Sequence, residues 1–141
     1  MVSQASSIVG ELKQLGYRMT VAREALLQIL SEANGPLSSD DLRLRLGQRG
    51  RIVNKTTVYR ELTFLLEKGH VRAISLGERK KRYELTSEGH HHHLVCVRCE
   101  RVEDIPLENE LRHTEDSIHR DRGFHVQSHS LEFFGLCARC Q

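Results

Sequence analysis

Apolar residues in the first half of the chain recur at the spacing of one helical face. Ile8, Leu12 and Leu15 mark a short helix ending near Gly16. Thr20 is a natural N-cap for a second helix, with Ala22, Ala25, Leu26, Ile29 and Leu30 on one side. Asn34-Gly35-Pro36 breaks that helix. Ser38, with Asp41 three positions on, forms a capping-box pattern before Leu42 and Leu46. After Gly47 and Gly50, Asn54 or Thr56 starts a fourth helix, with Val58, Leu62, Leu65 and Leu66 inward and Gly69 as its stop. Two strands follow, Val71–Leu76 and Arg82–Thr86, around a polar turn at Gly77–Lys81. Helices followed by a two-stranded hairpin predict a winged helix-turn-helix over residues 1–86.

Beyond the linker-like Thr86-Ser-Glu-Gly89 the pattern changes. His92–Val97 and Arg101–Ile105 read as strands around a Cys pair. Pro106 opens a helix carrying Leu107, Leu111 and Ile118, closed by Gly123. Phe124–Leu136 returns as a long strand into a second Cys pair. The whole chain is thus α+β, with a second, small α/β domain over residues 87–141.

Charge sharpens this division. Residues 1–89 hold 15 Lys and Arg against 10 Asp and Glu, whereas residues 90–141 hold 6 against 9. Eight of the nine histidines fall in the second part. A basic half suits a polyanion, and an acidic, His-rich half suits cations. No basic leader precedes an apolar core at the N-terminus, and no run of about 20 apolar residues is present, so a cytoplasmic protein is expected, with no membrane partner.

The start of the fourth helix has the layout of a recognition helix. Val58 holds it to the scaffold, while Thr56, Thr57, Tyr59 and Arg60 are free to reach base edges and phosphates of double-stranded DNA. Lys55 lies just upstream. Lys80 and Lys81 at the hairpin tip suit backbone contact, and Arg18 and Arg23 flank the second helix within reach of phosphate or a narrow minor groove.

Cys96, Cys99, Cys137 and Cys140 are the only cysteines and form two Cys-x-x-Cys pairs with none left over. That is the arithmetic of one closed, structural Zn²⁺ site, since a reducing compartment disfavours disulfides. Four histidines, His90 to His93, stand directly before the first pair. In a strand, alternate side chains share a face, so His91 and His93 point one way and His90 and His92 the other. Glu84 and Asp104 are near enough in sequence to add carboxylates. Such nitrogen and oxygen donors suit Fe²⁺, Mn²⁺ or Zn²⁺ and disfavour Cu(I). His129 and His125 are candidates for the opposite face, while His113 and His119 read as exposed helix residues.

The order of these parts resembles the ferric uptake regulator family over about residues 8–140. The resemblance is carried by Gly16-Tyr-Arg-Met-Thr-Val-Ala-Arg23, Leu37-Ser-Ser-Asp-Asp-Leu42, Thr57-Val-Tyr-Arg-Glu-Leu62, Tyr83-Glu-Leu85, His90 through Cys99, and His129-Ser-Leu131 to Gly135-Leu-Cys137. It implies a homodimeric, metal-dependent repressor that binds AT-rich palindromic operators through its winged helix and dimerises through residues 87–141. By position it implies structural zinc at the four cysteines and a sensory site at Glu84, His91, His93 and Asp104. It also implies a further site with His90, His92 and His129.

The chain departs from the family pattern in two places. Gly35-Pro36-Leu37 stands where many members place a sensory histidine, with His70 as a substitute near the domain junction. Leu111 or Arg112 stands where a helix glutamate is usual, with Glu108 and Glu110 nearby. The zinc-sensing branch often uses a sensory cysteine, and none is left over here. Iron or zinc uptake regulation is therefore weighed against peroxide or manganese sensing within the same family. Two remoter alternatives are a zinc-buffering protein and a zinc deaminase. The deaminase reading rests on His113-Thr-Glu115 and Cys137-x-x-Cys140, but four thiolates leave no open position for water.

Overall fold

A computed structural model describes residues 3–76, 80–86, 91–107 and 111–141. The chain divides into two compact units, Met1–Thr86 and Ser87–Gln141.

The first unit runs α1 (Gln4–Gln14), α2 (Val21–Glu32), β1 (Leu37–Ser38), α3 (Ser39–Gln48), α4 (Lys55–Glu67), β2 (Val71–Ile74) and β3 (Arg82–Leu85). Side chains at the N-termini set where its helices begin. Thr20 accepts from the Arg23 amide, and Asn54 from the Thr57 amide at 2.8 Å. Ser38 and Asp41 form a reciprocal capping box at α3. Gly69, at φ +76°, ends α4 in the left-handed conformation that costs other residues most. Leu12, Leu26, Leu27, Ile29, Leu42, Leu46, Val58, Leu62 and Leu65 form one core on which the three-stranded sheet β1-β3-β2 packs.

Two details differ from the periodic reading. Leu37-Ser38 adds a third strand to the wing by pairing with Tyr83 and Arg82. Leu66 is 36% exposed, and Glu61 takes a buried place on α4 instead. The hydrophobic stripe admits a carboxylate there because a cation meets it, as described below.

The second unit is β4 (His92–Cys96), β5 (Val102–Ile105), α5 (Arg112–Arg122) and β6 (Glu132–Gly135), with sheet order β5-β4-β6. β5 runs antiparallel to β4 and β6 parallel to it. α5 starts at Arg112, six residues later than a helix opened by Pro106. Its N-cap, Leu111, has no side chain to bond the first amides. Of the strand expected over 124–136, only Glu132–Gly135 is in the ladder, paired with His93 to Cys96 of β4. Glu100 holds a positive φ of 62° at the first Cys knuckle, where its amide bonds the Cys96 carbonyl at 3.0 Å. Left-handed backbone costs a non-glycine residue about 1–2 kcal/mol.

Candidate metal centres and nucleic-acid interface

The end of β4 and the turn after it supply Cys96 and Cys99, and the turn after β6 supplies Cys137 and Cys140. Parallel pairing of β4 with β6 delivers the two knuckles side by side. The four sulfurs lie within 4.8 Å of one another, with Cys99 Sγ 3.7 Å from Cys137 Sγ. Zinc–sulfur bonds of about 2.3 Å at tetrahedral angles put two sulfurs about 3.8 Å apart. The cluster therefore has the size of a four-thiolate zinc site.

Its electrostatics agree. The Cys137 amide donates to Cys96 Sγ at 3.4 Å and, with the Cys99 amide, draws the Cys96 thiol down to about 5. Cys140, hydrogen-bonded to Cys137, is pushed up to about 12. Cys137 shifts downward through the same bond. Four thiols this close share protons and cannot all ionise without a cation among them.

The histidine run obeys strand alternation. His91 and His93 turn to one face, their rings 5.2 Å apart and nearly perpendicular. Asp104 faces His93 across the β4–β5 ladder. Its Oδ1 lies 3.6 Å from His93 Nε2 and 3.9 Å from His91 Nε2. Two ligands about 2.1 Å from one ion are separated by about 3.0–3.5 Å, so the Asp104 carboxylate stands within a few tenths of an ångström of sharing an ion with either imidazole. His93 is buried and His91 partly so, while Asp104 is accessible.

Glu84 belongs to the first unit. It sits buried on β3, and Arg72 on β2 binds it through Nε at 2.6 Å and a second nitrogen at 2.5 Å. His70 lies just before β2, and its carbonyl accepts from the Thr86 amide at 2.9 Å.

On the opposite face of β4, His92 is buried and stacks on His129 at 5.3 Å. His129 Nδ1 meets Glu115 Oε1 of α5 at 2.5 Å. Glu115, rather than Leu111 or Arg112, brings a helix carboxylate to His129. It lies one helical turn beyond Leu111 and Arg112, and that i+3/i+4 spacing was the available signal. Engagement with His129 also sets Glu115 in a role other than a deaminase acid/base. His90, Glu108 and Glu110 lie outside the described residues. His125 is drawn to neither face and stands 6.0 Å from His119 on the exposed surface.

On the first unit, Lys55, Thr56, Tyr59 and Arg60 are exposed at the start of α4, Thr57 is partly covered, and Val58 is buried beneath them. Arg18, Lys80 and Lys81 are also exposed. Lys80 reaches Asp40 at 3.2 Å and holds that carboxyl below its usual range. Arg23 differs from the expectation of a phosphate contact. Its guanidinium bonds Glu61 at 2.6 Å and the Arg18 carbonyl at 2.7 Å, and lies 3.8 Å over the Phe64 ring. With its side chain only 12% exposed, it neutralises Glu61 inside the unit, an internal role in place of the expected phosphate contact.

Comparison with known proteins points one way. The model of the ferric uptake regulator family matches residues 14–134. The ferric uptake regulation protein of Bacillus subtilis is 36% identical over 144 residues, covering 99% of this chain and 96% of that protein. The solved Vibrio cholerae ferric uptake regulator is 27% identical with a TM-score of 0.79, covering 91% of this chain and 98% of that one. The Pseudomonas aeruginosa ferric uptake regulator, solved with manganese, is 29% identical with a TM-score of 0.70, covering 98% and 99%. A family model spanning most of the chain, together with these relatives over nearly its full length, establishes that the chain belongs to the ferric uptake regulator family.

Proposed function

We propose that this chain is a cytoplasmic homodimeric repressor of metal-uptake genes that binds AT-rich palindromic operators when a divalent ion occupies Glu84, His91, His93 and Asp104. Metal-responsive regulation of transcription, without enzymatic activity, is the function of its family. No described helix is long and apolar enough to cross a membrane. The observation that carries the reading is the convergence of His91, His93 and Asp104 on one face of β4–β5, chemically distinct from the closed thiolate cluster. Four thiolates suit Zn²⁺ held for structure. Imidazoles and carboxylates suit Fe²⁺, Mn²⁺ or Zn²⁺ exchanged as a signal.

In this reading each unit has a separate task. Tyr59, Arg60 and the α4 N-terminus read bases, while Lys55, Lys80, Lys81 and Arg18 track phosphates. One winged helix reads a half-site, and a two-fold dimer reads two. Glu84 from the first unit and the imidazoles of the second would hold the regulatory ion together. An ion held by these residues would favour the DNA-competent form only through tighter binding to it. A tenfold shift toward that form needs about 1.4 kcal/mol of differential metal binding, and a near-complete switch about 5.5 kcal/mol. His92, His129 and Glu115 form the core of the further site.

Two carboxylates and no thiolate in the sensory set favour Fe²⁺ or Mn²⁺, which also accommodates a peroxide or manganese sensor. The test is metal content per chain together with operator affinity in Fe²⁺, Mn²⁺ and Zn²⁺, for wild type and for His91→Ala and His93→Ala. The variants are expected to keep one tightly bound zinc and lose metal-dependent DNA binding. Equal, metal-independent affinity in all three proteins would refute the clamp.

A further inference from the structure

Three consecutive residues in the first turn of α3 each meet a side chain of another element, two of them on the surface assigned to DNA. Ser39 Oγ donates to the Tyr59 phenol oxygen at 3.1 Å. Asp40 binds Lys80 at 3.2 Å, and Asp41 faces Arg82 at 3.6 Å. The turn itself is fixed. Asp41 accepts from the Ser38 amide at 3.0 Å, and the Ser38 hydroxyl accepts from the Asp41 amide at 3.1 Å. That capping box satisfies the helix end, so the Ser39 hydroxyl is not needed for capping and turns toward α4.

We propose that Ser39 is a positioning residue for sequence discrimination, acting by orienting Tyr59 on the recognition helix. The proposal rests on the reading above, that the α4 N-terminus enters DNA. A tyrosine hydroxyl has one proton to donate and also accepts. With Ser39 donating to it, the phenol proton is directed away from α3, free for an acceptor on a base edge or phosphate. Tyr59 is 49% exposed, so neighbouring packing leaves its ring freedom to swing. The hydroxyl contact removes that freedom before DNA arrives, which lowers the ordering cost of binding. The same rigid turn carries Lys80 through Asp40. The recognition helix and the wing are therefore aligned from one short segment that itself needs no contact with DNA.

The experiment uses the metal-loaded full chain. A duplex is first enriched by the wild type from a random-sequence library, and a scrambled duplex of equal composition is the control. Ser39→Ala is expected to weaken binding of the enriched duplex by about threefold to tenfold, the range for losing one hydrogen bond, and to leave the scrambled duplex unchanged. Ser39→Thr, which keeps the hydroxyl, should stay near wild type. In a Tyr59→Phe background, Ser39→Ala should add no further loss, because the acceptor is gone. An undiminished effect of Ser39→Ala in Tyr59→Phe, or equal losses on both duplexes, would show that Ser39 acts on general structure and overturn the proposal. Full affinity of Ser39→Ala would overturn it as well. A wild type that enriches no sequence would overturn the DNA-reading assignment itself, a failure seen before any variant is made.

Discussion

Replacing Cys140 with serine should unfold the second unit and leave the first intact. Among the described residues, the buried hydrophobic ones beyond Thr86 are only Val95 and Cys96. Burying one valine stabilises by about 1.5–3 kcal/mol. Ordering each residue costs about 1.5 kcal/mol, so a unit with so small a core does not fold on burial alone. A structural zinc contributes on the order of 10 kcal/mol of folding free energy, far more than any contact that unit buries. The first unit has its own core from Leu12 to Leu85 and needs no such staple.

Hydrogen exchange on zinc-loaded wild type and on Cys140→Ser would test this, with protein concentration varied to separate out any effect of dimerisation. Amides of β4, β5 and β6 should lose protection in the variant, while α2 and α4 keep theirs. Acid should act in the same direction as the substitution. Zinc needs thiolates, and Cys140 is held up near 12 in the metal-free cluster, so binding at neutral pH must release a proton, and acidification opposes binding as protons compete with zinc for the sulfurs. Protection of β4 that survives in zinc-free Cys140→Ser would refute the claim that thiolate ligation holds this unit together.

Two further outcomes are expected. Arg23→Ala leaves Glu61 buried without its cation and should cost about 3–5 kcal/mol, read as a lowered melting temperature of the first unit with metal content unchanged. Phe133→Asp should shift the protein from dimer to monomer by light scattering, because Phe133 and Leu94 are register partners on a solvent-facing part of the sheet and α5 buries no residue within its own chain.

What was legible in the chain follows from how far each interaction reaches along it. Helix starts depend on contacts three residues apart, so Thr20, Ser38 and Asn54 could be read directly. The two faces of the histidine strand followed from alternation alone, and the rings of His91 and His93 do meet on one side while His92 meets His129 on the other. The late start of α5 was not legible, because Pro106 is as compatible with a loop as with a first helical turn and no capping side chain marks Leu111.

The internal pairing of Arg23 has a physical cause that the sequence hides. An arginine at a helix start in a basic domain reads as a phosphate ligand unless a buried acid claims it, and Glu61 lies 38 positions away on another helix. Its place on α4 was visible in the sequence only as a polar residue beside Leu62, on the edge of the stripe. Glu84 presents the same problem in a form that bears on function. Its place near the histidines in the sequence suggests a metal ligand, yet the fold already supplies it with a cation in Arg72. A buried carboxylate paired with arginine is kept charged and oriented without metal, at the cost that an ion recruiting it must compete with a guanidinium. That competition would set the proposed regulatory site apart from the thiolate site. The thiolates repel one another until a cation arrives, so their metal is held for stability. A ligand that has an alternative partner can let its metal go, which is what a sensor of changing metal supply requires.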